Sequence, residues 1–452
     1  MASLIVEGCA LATVDPSGTE YADGHVVITD GRIAAAGAGP APELDGAHRI
    51  DGAGCLLTPG LVNTHHHLCQ SITRGFAQDG TLFQWLTTLY PIWAGLDAEL
   101  EYQAASAGLA NLALSGCSTA FDHNYLFPRN GGDILAAEIE AAGRIGLRFH
   151  AARGSMDLGQ SAGGLPPDSV VEDPDAILAA CEAAVARHHD RSPDAMVRIV
   201  LAPCTPFTNT GRLMRDSAEL GRRLGVRLHT HLAETLDEEE FCQASYGARP
   251  VDYAESLGWL GDDVWLAHCV HLSAGDIAKL AGTGTGAAHC PSSNGRLGSG
   301  IAPVPELLAT GVPVGLGVDG VASNEHPGLA AELRQAVLAA RYRLGPQALT
   351  ARQALMMGTI GGARCLGRQD DLGSIEVGKL ADLALWRLDG LGHADIADPV
   401  FALVFGPPAP LELLLVGGEV IVERGELRTA DAGSIAAAAR AAAQELVRRA
   451  SA

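Results

Sequence analysis

Three consecutive histidines, His65, His66 and His67, close the apolar run of "TPGLVNTHHHLCQS" at 58–71. Similar residues follow other apolar runs: Asp122 and His123 after "STAF", His150 in "LRFHAAR", His229, His231 and Glu234 in "VRLHTHLAE", His268 in "VWLAH", His289 in "GAAH" and Asp319 in "PVGLGVD". Imidazole with carboxylate suits zinc or ferrous iron, and three histidines plus one aspartate leave a coordination position for water. An ion held in this way lowers the pKa of its water from 15.7 to about 7, which is the chemistry of hydrolysis. In an extended chain alternate side chains share a face. His65 and His67 are therefore expected to point together with His66 turned away, and His229 and His231 to share a face.

Residues so scattered need a scaffold that gathers strand ends. Between 58 and 370, strand-like runs ("CLLTPGLVNTH", "STAFDHN", "LRFHAAR", "VRIVLAPC", "VRLHTHLAE", "VWLAHCV", "GAAHCPSS", "PVGLGVDG") alternate with segments of helical periodicity such as "GDILAAEIEAAGRIG". Eight β/α units predict a TIM barrel, whose chemistry sits at the C-terminal ends of the strands. A doubly wound sheet is the alternative. Both chain ends read as short strands with glycine-rich turns, for example "GHVVITDGRIAAAG" and "LLLVGGEVIVERGEL". The expected fold is thus α/β, a (β/α)8 TIM barrel over 58–370 with a small β-sandwich domain formed from both chain termini. Residues 1–57 plus 371–430 make that composite domain, and 431–452 a C-terminal helix.

The composition narrows the partners. With 53 acidic against 31 basic residues the net charge is −22, which speaks against nucleic acid or an anionic membrane. No run approaches the ~18 apolar residues that span a bilayer, and the N-terminus lacks the basic region of a signal peptide. Ten cysteines without a C-x-x-C pair read as reduced thiols, which places the chain in the cytoplasm. A homo-oligomer is the base-rate expectation. Three motif matches lead elsewhere and fail on context. "GQSAG" (159–163) precedes a loop where a serine hydrolase needs a helix. "GSIEVGKL" (373–380) has Leu380 where a P-loop needs Ser or Thr, and "GTGTGA" (282–287) follows a helix where a dinucleotide loop follows a strand.

Taken in order, "PGLVNTHHHLCQ", "HTHLAET", "LAHCVHL", "AHCPSSN" and "GLGVDGVASNE" resemble the amidohydrolase superfamily, and "DGRIAAAG" and "GSIEVGKLADLALW" resemble its split β domain. The resemblance covers essentially the whole chain. It implies His65, His67, His231 and Asp319 as metal ligands, with Glu234 and His268 as catalytic neighbours and Asp319 as a proton acceptor. Two-metal members carry a carboxylated lysine at the end of the fourth strand. The only lysines here are Lys279 and Lys379, neither near "VRIVLAPC". One divalent ion is therefore expected, Zn2+ or alternatively Fe2+, as in the deaminase branch.

The expected reaction is attack of activated water on an amidine-like carbon, Glu234 carrying a proton to the ring nitrogen and His268 orienting the water. Gln70, three residues past His67, both donates and accepts, so it can read a lactam edge. The stretches 65–93 and 153–169 resemble the 8-oxoguanine-deaminating members, implying conversion of 8-oxoguanine to urate and ammonia. Guanine, isocytosine and hydroxydechloroatrazine-type triazines are the alternatives, the last as for an ethylaminohydrolase. Tyr90 and Trp93 are candidates to stack on the ring, and His271 and His289 to line the pocket. A non-catalytic scaffold of this fold would lack a ligand or the acid, and all six expected positions are filled.

Overall fold

The computed structural model describes residues 3–451, so Met1, Ala2 and Ala452 of the expected terminal segments lie outside the described residues. Eight parallel strands close into a barrel: β1 (Leu61–Asn63), β2 (Cys117–Asp122), β3 (Arg148–Ser155), β4 (Val197–Pro203), β5 (Leu228–Leu232), β6 (Val264–His268), β7 (Gly286–His289) and β8 (Val314–Leu316). Closure comes where Leu316 of β8 pairs with Asn63 of β1. An isolated bridge from His66 to Asp319 continues that pairing beyond the strands. A barrel buries both faces of its strands, so even their polar residues, such as His229, Thr230 and His231 of β5, are buried. One face packs on the outer helices. The other fills the barrel with Val62, Phe121, Val200 and Trp265, among others.

Strands from both chain ends form a single nine-stranded sheet outside the barrel. The join is made by Cys55–Pro59, which pairs antiparallel with Leu383–Arg387 from the far end of the chain. Val6, Leu11 and Val26 from the first half and Leu383, Leu385, Leu413 and Leu415 from the second share one hydrophobic core. The sheet is tied to the barrel by a buried ion pair. Arg148 on β3 donates from Nε and an Nη to the two carboxylate oxygens of Asp382, at 2.8 and 3.1 Å.

Helix α1 (Leu82–Trp93) and helix α2 (Ala98–Leu114) follow the first strand, and helix α3 (Leu236–Tyr246) follows the fifth. The alanine-rich helix α4 (Ala432–Ala450) buries Ala442 and Leu446 against the α1 and α2 cluster. Arg449 of α4 holds Asp97, the N-cap of α2, at 2.6 Å. All ten cysteines are buried and unpaired. Among the described residues no helix is long and apolar enough to cross a membrane.

One strand-end expectation is corrected. His150 is the third residue of β3, which runs on to Ser155, so it lies low in the barrel, away from the C-terminal ends. The three excluded motifs take the local structure their contexts required. Residues 159–163 form a single 3-10 turn in a loop, 373–380 precede a strand, and 282–287 leave a helix for β7.

Candidate metal and substrate site

The strand ends converge on a group of buried imidazoles. His65 and His67 lie just past β1, His231 is on β5, His268 ends β6 and Asp319 follows β8. His65 Nε2 and His67 Nε2 stand 3.4 and 3.3 Å from Asp319 Oδ1, and His67 Nε2 stands 3.1 Å from His231 Nε2. His66 is directed elsewhere, its Nδ1 4.0 Å from Asp122 Oδ1. The alternation expected for 65–67 therefore holds even though these residues lie beyond the strand.

Hydrogen bonding determines which ring nitrogens face inward as bare lone pairs. A main-chain carbonyl only accepts, so a ring nitrogen bonded to one carries the proton. His67 Nδ1 donates to His123 O at 2.8 Å, and His231 Nδ1 donates to Cys204 O at 2.8 Å. His229 Nδ1 donates to Trp265 O at 2.8 Å, leaving its Nε2 to accept from His65 Nδ1 at 2.9 Å. Burial pushes His65 down to about 3 and His229 and His231 well below the ordinary histidine range, so the rings are neutral. The Nε2 atoms of His65 and His231 are then unprotonated; that of His65 faces Asp319 Oδ1, and that of His231 faces His67 Nε2. Several overlapping groups here have metal-ligand spacing, including His65, His67 and Asp319, and also His65, His123 and His229. The last is excluded as an ion cage because His229 Nε2 is already engaged by His65. His229 instead supports His65 from behind, as second partners of metal-binding histidines do.

Asp319 is held with its other oxygen outward. Oδ2 accepts from Ser293 Oγ at 2.5 Å and Ser323 Oγ at 3.2 Å, and the backbone there is left-handed with φ 63°. His268 also has a left-handed backbone, φ 71°, and its Nδ1 donates to Asn294 Oδ1 at 2.9 Å. Its Nε2 faces Glu234 Oε2 at 3.7 Å and Asp319 Oδ2 at 4.0 Å. Burial opposes a charge on His268, but the carboxylates of Glu234 and Asp319 outweigh it and raise its pKa. Burial raises Glu234 in turn, so its carboxyl keeps a proton to higher pH than a free glutamate does. Clustered left-handed residues at strand ends are local strain of the kind active sites retain.

Beside this group lies a pocket. His67, His231, Glu234, His268, Asp319 and Gln70 form its polar side, and Leu82, Trp85, Leu86, Phe207 and Leu297 its apolar side. Gln70 is 1 % exposed, and neither its Oε1 nor its Nε2 has a hydrogen-bond partner among the described residues. A Cβ on Gly320 would collide with the Gln70 amide, so glycine there makes room for it.

Of the aromatic candidates Tyr90 lines the pocket and Trp93 does not. Trp93 packs edge-on against Trp85 and Tyr90 and donates to Thr73 Oγ1 at 3.0 Å, a core role. His271 bonds Ser299 O at 2.8 Å, and His289 borders a separate groove with His326 and Tyr342, so neither lines the pocket. The sequence reading missed Trp85, Tyr125 and Phe207 on the walls, and Ser293 and Asn294 as holders of Asp319 and His268. The last two sit in the quoted "AHCPSSN", but nothing in their types announces those partners.

The chain belongs to the amidohydrolase family, whose model matches residues 56–421. It is accordingly a metal-dependent amidohydrolase of the deaminase type. It is 47 % identical to an 8-oxoguanine deaminase of Pseudomonas aeruginosa over 97 % of this chain and 98 % of the relative. It is 41 % identical to an isoxanthopterin deaminase of an unknown prokaryotic organism, over 88 % and 87 % of the two chains. Among solved structures, the zinc complex of an atrazine chlorohydrolase from Arthrobacter aurescens TC1 superposes with a TM-score of 0.93 at 35 % identity, covering 97 % of this chain and 100 % of that one.

Proposed function

We propose that the enzyme hydrolytically deaminates a bicyclic lactam carrying an amidine amine, with 8-oxoguanine converted to urate and ammonia as the preferred reaction. His65, His67, His231 and Asp319 would hold one divalent ion, the role for which their inward lone pairs fit. Such an ion supplies Lewis-acid activation of water, bringing its pKa from 15.7 to about 7. Zinc is favoured by the nitrogen-rich donor set and by the zinc of the atrazine chlorohydrolase.

The chain's own groups divide the remaining work. Asp319 keeps Oδ2 bonded to Ser293 and Ser323, and takes the proton that the attacking water gives up. His268, fixed through Nδ1 by Asn294, presents Nε2 between Glu234 and Asp319 and orients that water. Glu234, whose pKa burial raises, delivers a proton to the ring nitrogen next to the amine-bearing carbon. The amine takes the proton held by Asp319 and departs as ammonia, while the carbon keeps the water's oxygen as a carbonyl whose proton returns to Glu234. Trp85, Tyr90 and Phe207 supply the apolar faces against which a flat ring packs.

The observation that carries the substrate class is Gln70. A buried amide without partners costs about 1–3 kcal/mol per unsatisfied group, a cost that a substrate offering N–H beside C=O removes. The test is ammonia release by the zinc-loaded protein from 8-oxoguanine, isoxanthopterin, guanine, isocytosine and an N-alkylamino-hydroxytriazine. The reading predicts that 8-oxoguanine leads in kcat/KM by about tenfold or more. A triazine in first place would overturn the substrate while leaving the metal chemistry in place.

A further inference from the structure

Glu238 is the fourth residue beyond Glu234 in the acidic run "HLAETLDEEE", which at face value is the solvated first turn of a helix. The structure places it differently. Glu238 is 1 % exposed, and its carboxylate turns back past the helix end. Oε1 accepts from Ala233 N at 3.0 Å and Oε2 from Glu234 N at 2.8 Å. In an ordinary capping box the third helical residue bonds the N-cap amide. Here the N-cap, Thr235, does accept from Glu238 N at 3.3 Å. The returning carboxylate, however, skips the N-cap and takes the two amides before it. Those two amides belong to the turn that carries Glu234 into the pocket.

That turn needs holding. Ala233 has φ 54°, a left-handed backbone that costs a residue with a Cβ about 1–2 kcal/mol. Its carbonyl accepts from Val270 N and His271 N, both at 2.9 Å, which fixes the turn from the β6 side. Glu238 fixes it from the helix side through both amides. The Glu234 main chain is thereby set between two clamps, with its carboxylate 3.7 Å from His268 Nε2.

We infer that Glu238 is a positioning residue for the reaction, its two-armed grip on the Ala233 and Glu234 amides setting where the Glu234 carboxyl meets the substrate. The inference rests on the proton-transfer role proposed for Glu234. Glu238→Gln keeps the size of the side chain but offers one acceptor oxygen, and sets an N–H donor against the other amide. Misplacing an acting group by about 1 Å can cost a hundredfold in rate. Glu238→Gln should therefore lower kcat by about tenfold to a hundredfold with KM little changed, and Glu238→Ala by more.

The decisive comparison uses zinc-loaded wild type, Glu234→Gln, Glu238→Gln and the double variant, with ammonia release and metal content measured for each. A crystal structure of zinc-loaded Glu238→Gln adds a readout that needs no substrate. If Glu238 acts through Glu234, its replacement costs nothing further in the Glu234→Gln background, and the crystal structure shows Glu234 displaced from His268. Independent, multiplying losses, or an unmoved Glu234 with wild-type kcat in Glu238→Gln, would overturn the inference alone. Full activity in Glu234→Gln would overturn the proton-transfer role of Glu234 and the inference with it. A variant that merely loses heat stability, with zinc-normalised kcat and pH profile intact, shows Glu238 to be a helix cap only, and counts against the proposal.

Discussion

His67 Nε2 and His231 Nε2 stand 3.1 Å apart, and the Nδ1 of each ring donates to a main-chain carbonyl. Two ring nitrogens face one another, with Asp319 Oδ1 3.3 Å from the first. A single proton could bridge one of these contacts. A divalent cation would serve all of them.

Metal should therefore stabilise the folded chain strongly. By mass action, free zinc at a thousand times its dissociation constant contributes about 4 kcal/mol. His67→Ala and His231→Ala are expected to bind less than a tenth of an equivalent of zinc by elemental analysis, and to lose most of the zinc-dependent rise in Tm. His66→Ala should keep its zinc, because its ring is directed towards Asp122. Full zinc occupancy in both His67→Ala and His231→Ala would sink the assignment.

Gln70 makes the second prediction. Gln70→Ala removes an amide with no protein partner among the described residues, so the fold should lose little and Tm should change little. Activity on a lactam substrate should fall by about tenfold to a hundredfold in kcat/KM, with much less effect on a substrate lacking N–H beside C=O. Equal losses on both kinds of substrate would show that Gln70 shapes the pocket without reading the ring.

How far these features can be read from the chain differs by kind. The histidines announce themselves because His65 and His67 alternate as in a strand, and because chemistry at strand ends is a property of the barrel as a whole. Gln70 is legible only from its nearness to His67. The walls are not legible, because which side of α1 faces the pocket depends on how the helix is rotated. Trp85 and Trp93 lie eight residues apart on the same helix, yet the first lines the pocket and the second packs into the core beneath it. Glu238 is hidden for a different reason. A glutamate within "DEEE" has the composition of a solvated helix face, and only tertiary structure shows its carboxylate turned inward.

The join between barrel and terminal sheet depends on Arg148 and Asp382, whose side chains are each 2 % exposed. Asp382 Oδ1 also accepts from Gly417 N at 2.7 Å. Removing one partner strands a buried charge, at a cost of about 3–5 kcal/mol. Asp382→Leu and Arg148→Met should each destabilise to that extent in urea unfolding. The Arg148→Met/Asp382→Leu pair should lose clearly less than the sum. Additive losses would mean that the two residues act separately.

His289 gives a pH prediction with a definite sign. Burial pushes its pKa from the ordinary 6.5 down to about 3. The folded state therefore keeps this ring neutral while the unfolded chain protonates it. Its contribution to stability is fully present above about pH 6.5 and is lost as pH falls towards 3. One such proton accounts for a slope of up to about 1.4 kcal/mol per pH unit. His289→Gln should flatten the fall in unfolding free energy between pH 6.5 and 4.5 by an amount of that order. Parallel curves for wild type and variant would show that the ring is not protonated on unfolding.

Finally, every side chain lining the pocket is buried, from Gln70 at 1 % to Leu82, His231 and Leu297 at 6 %, and Leu82, Trp85 and Leu86 of α1 make one wall of it. The segment leading into α1 is held down mainly by polar contacts. Arg296 donates to Phe76 O at 3.1 Å and Ala77 O at 3.2 Å, and Glu325 accepts from Gly75 N at 3.2 Å. Breaking the Arg296 contacts should loosen this segment and the α1 wall that follows it, since charge-assisted hydrogen bonds contribute about 1.5–3 kcal/mol each when well formed. Arg296→Met is expected to raise KM by about tenfold while kcat changes little, and to speed proteolytic cleavage between residues 74 and 80. If cleavage and KM both match wild type, this segment does not govern substrate binding, and the loops after β6 and β7 become the segments to test.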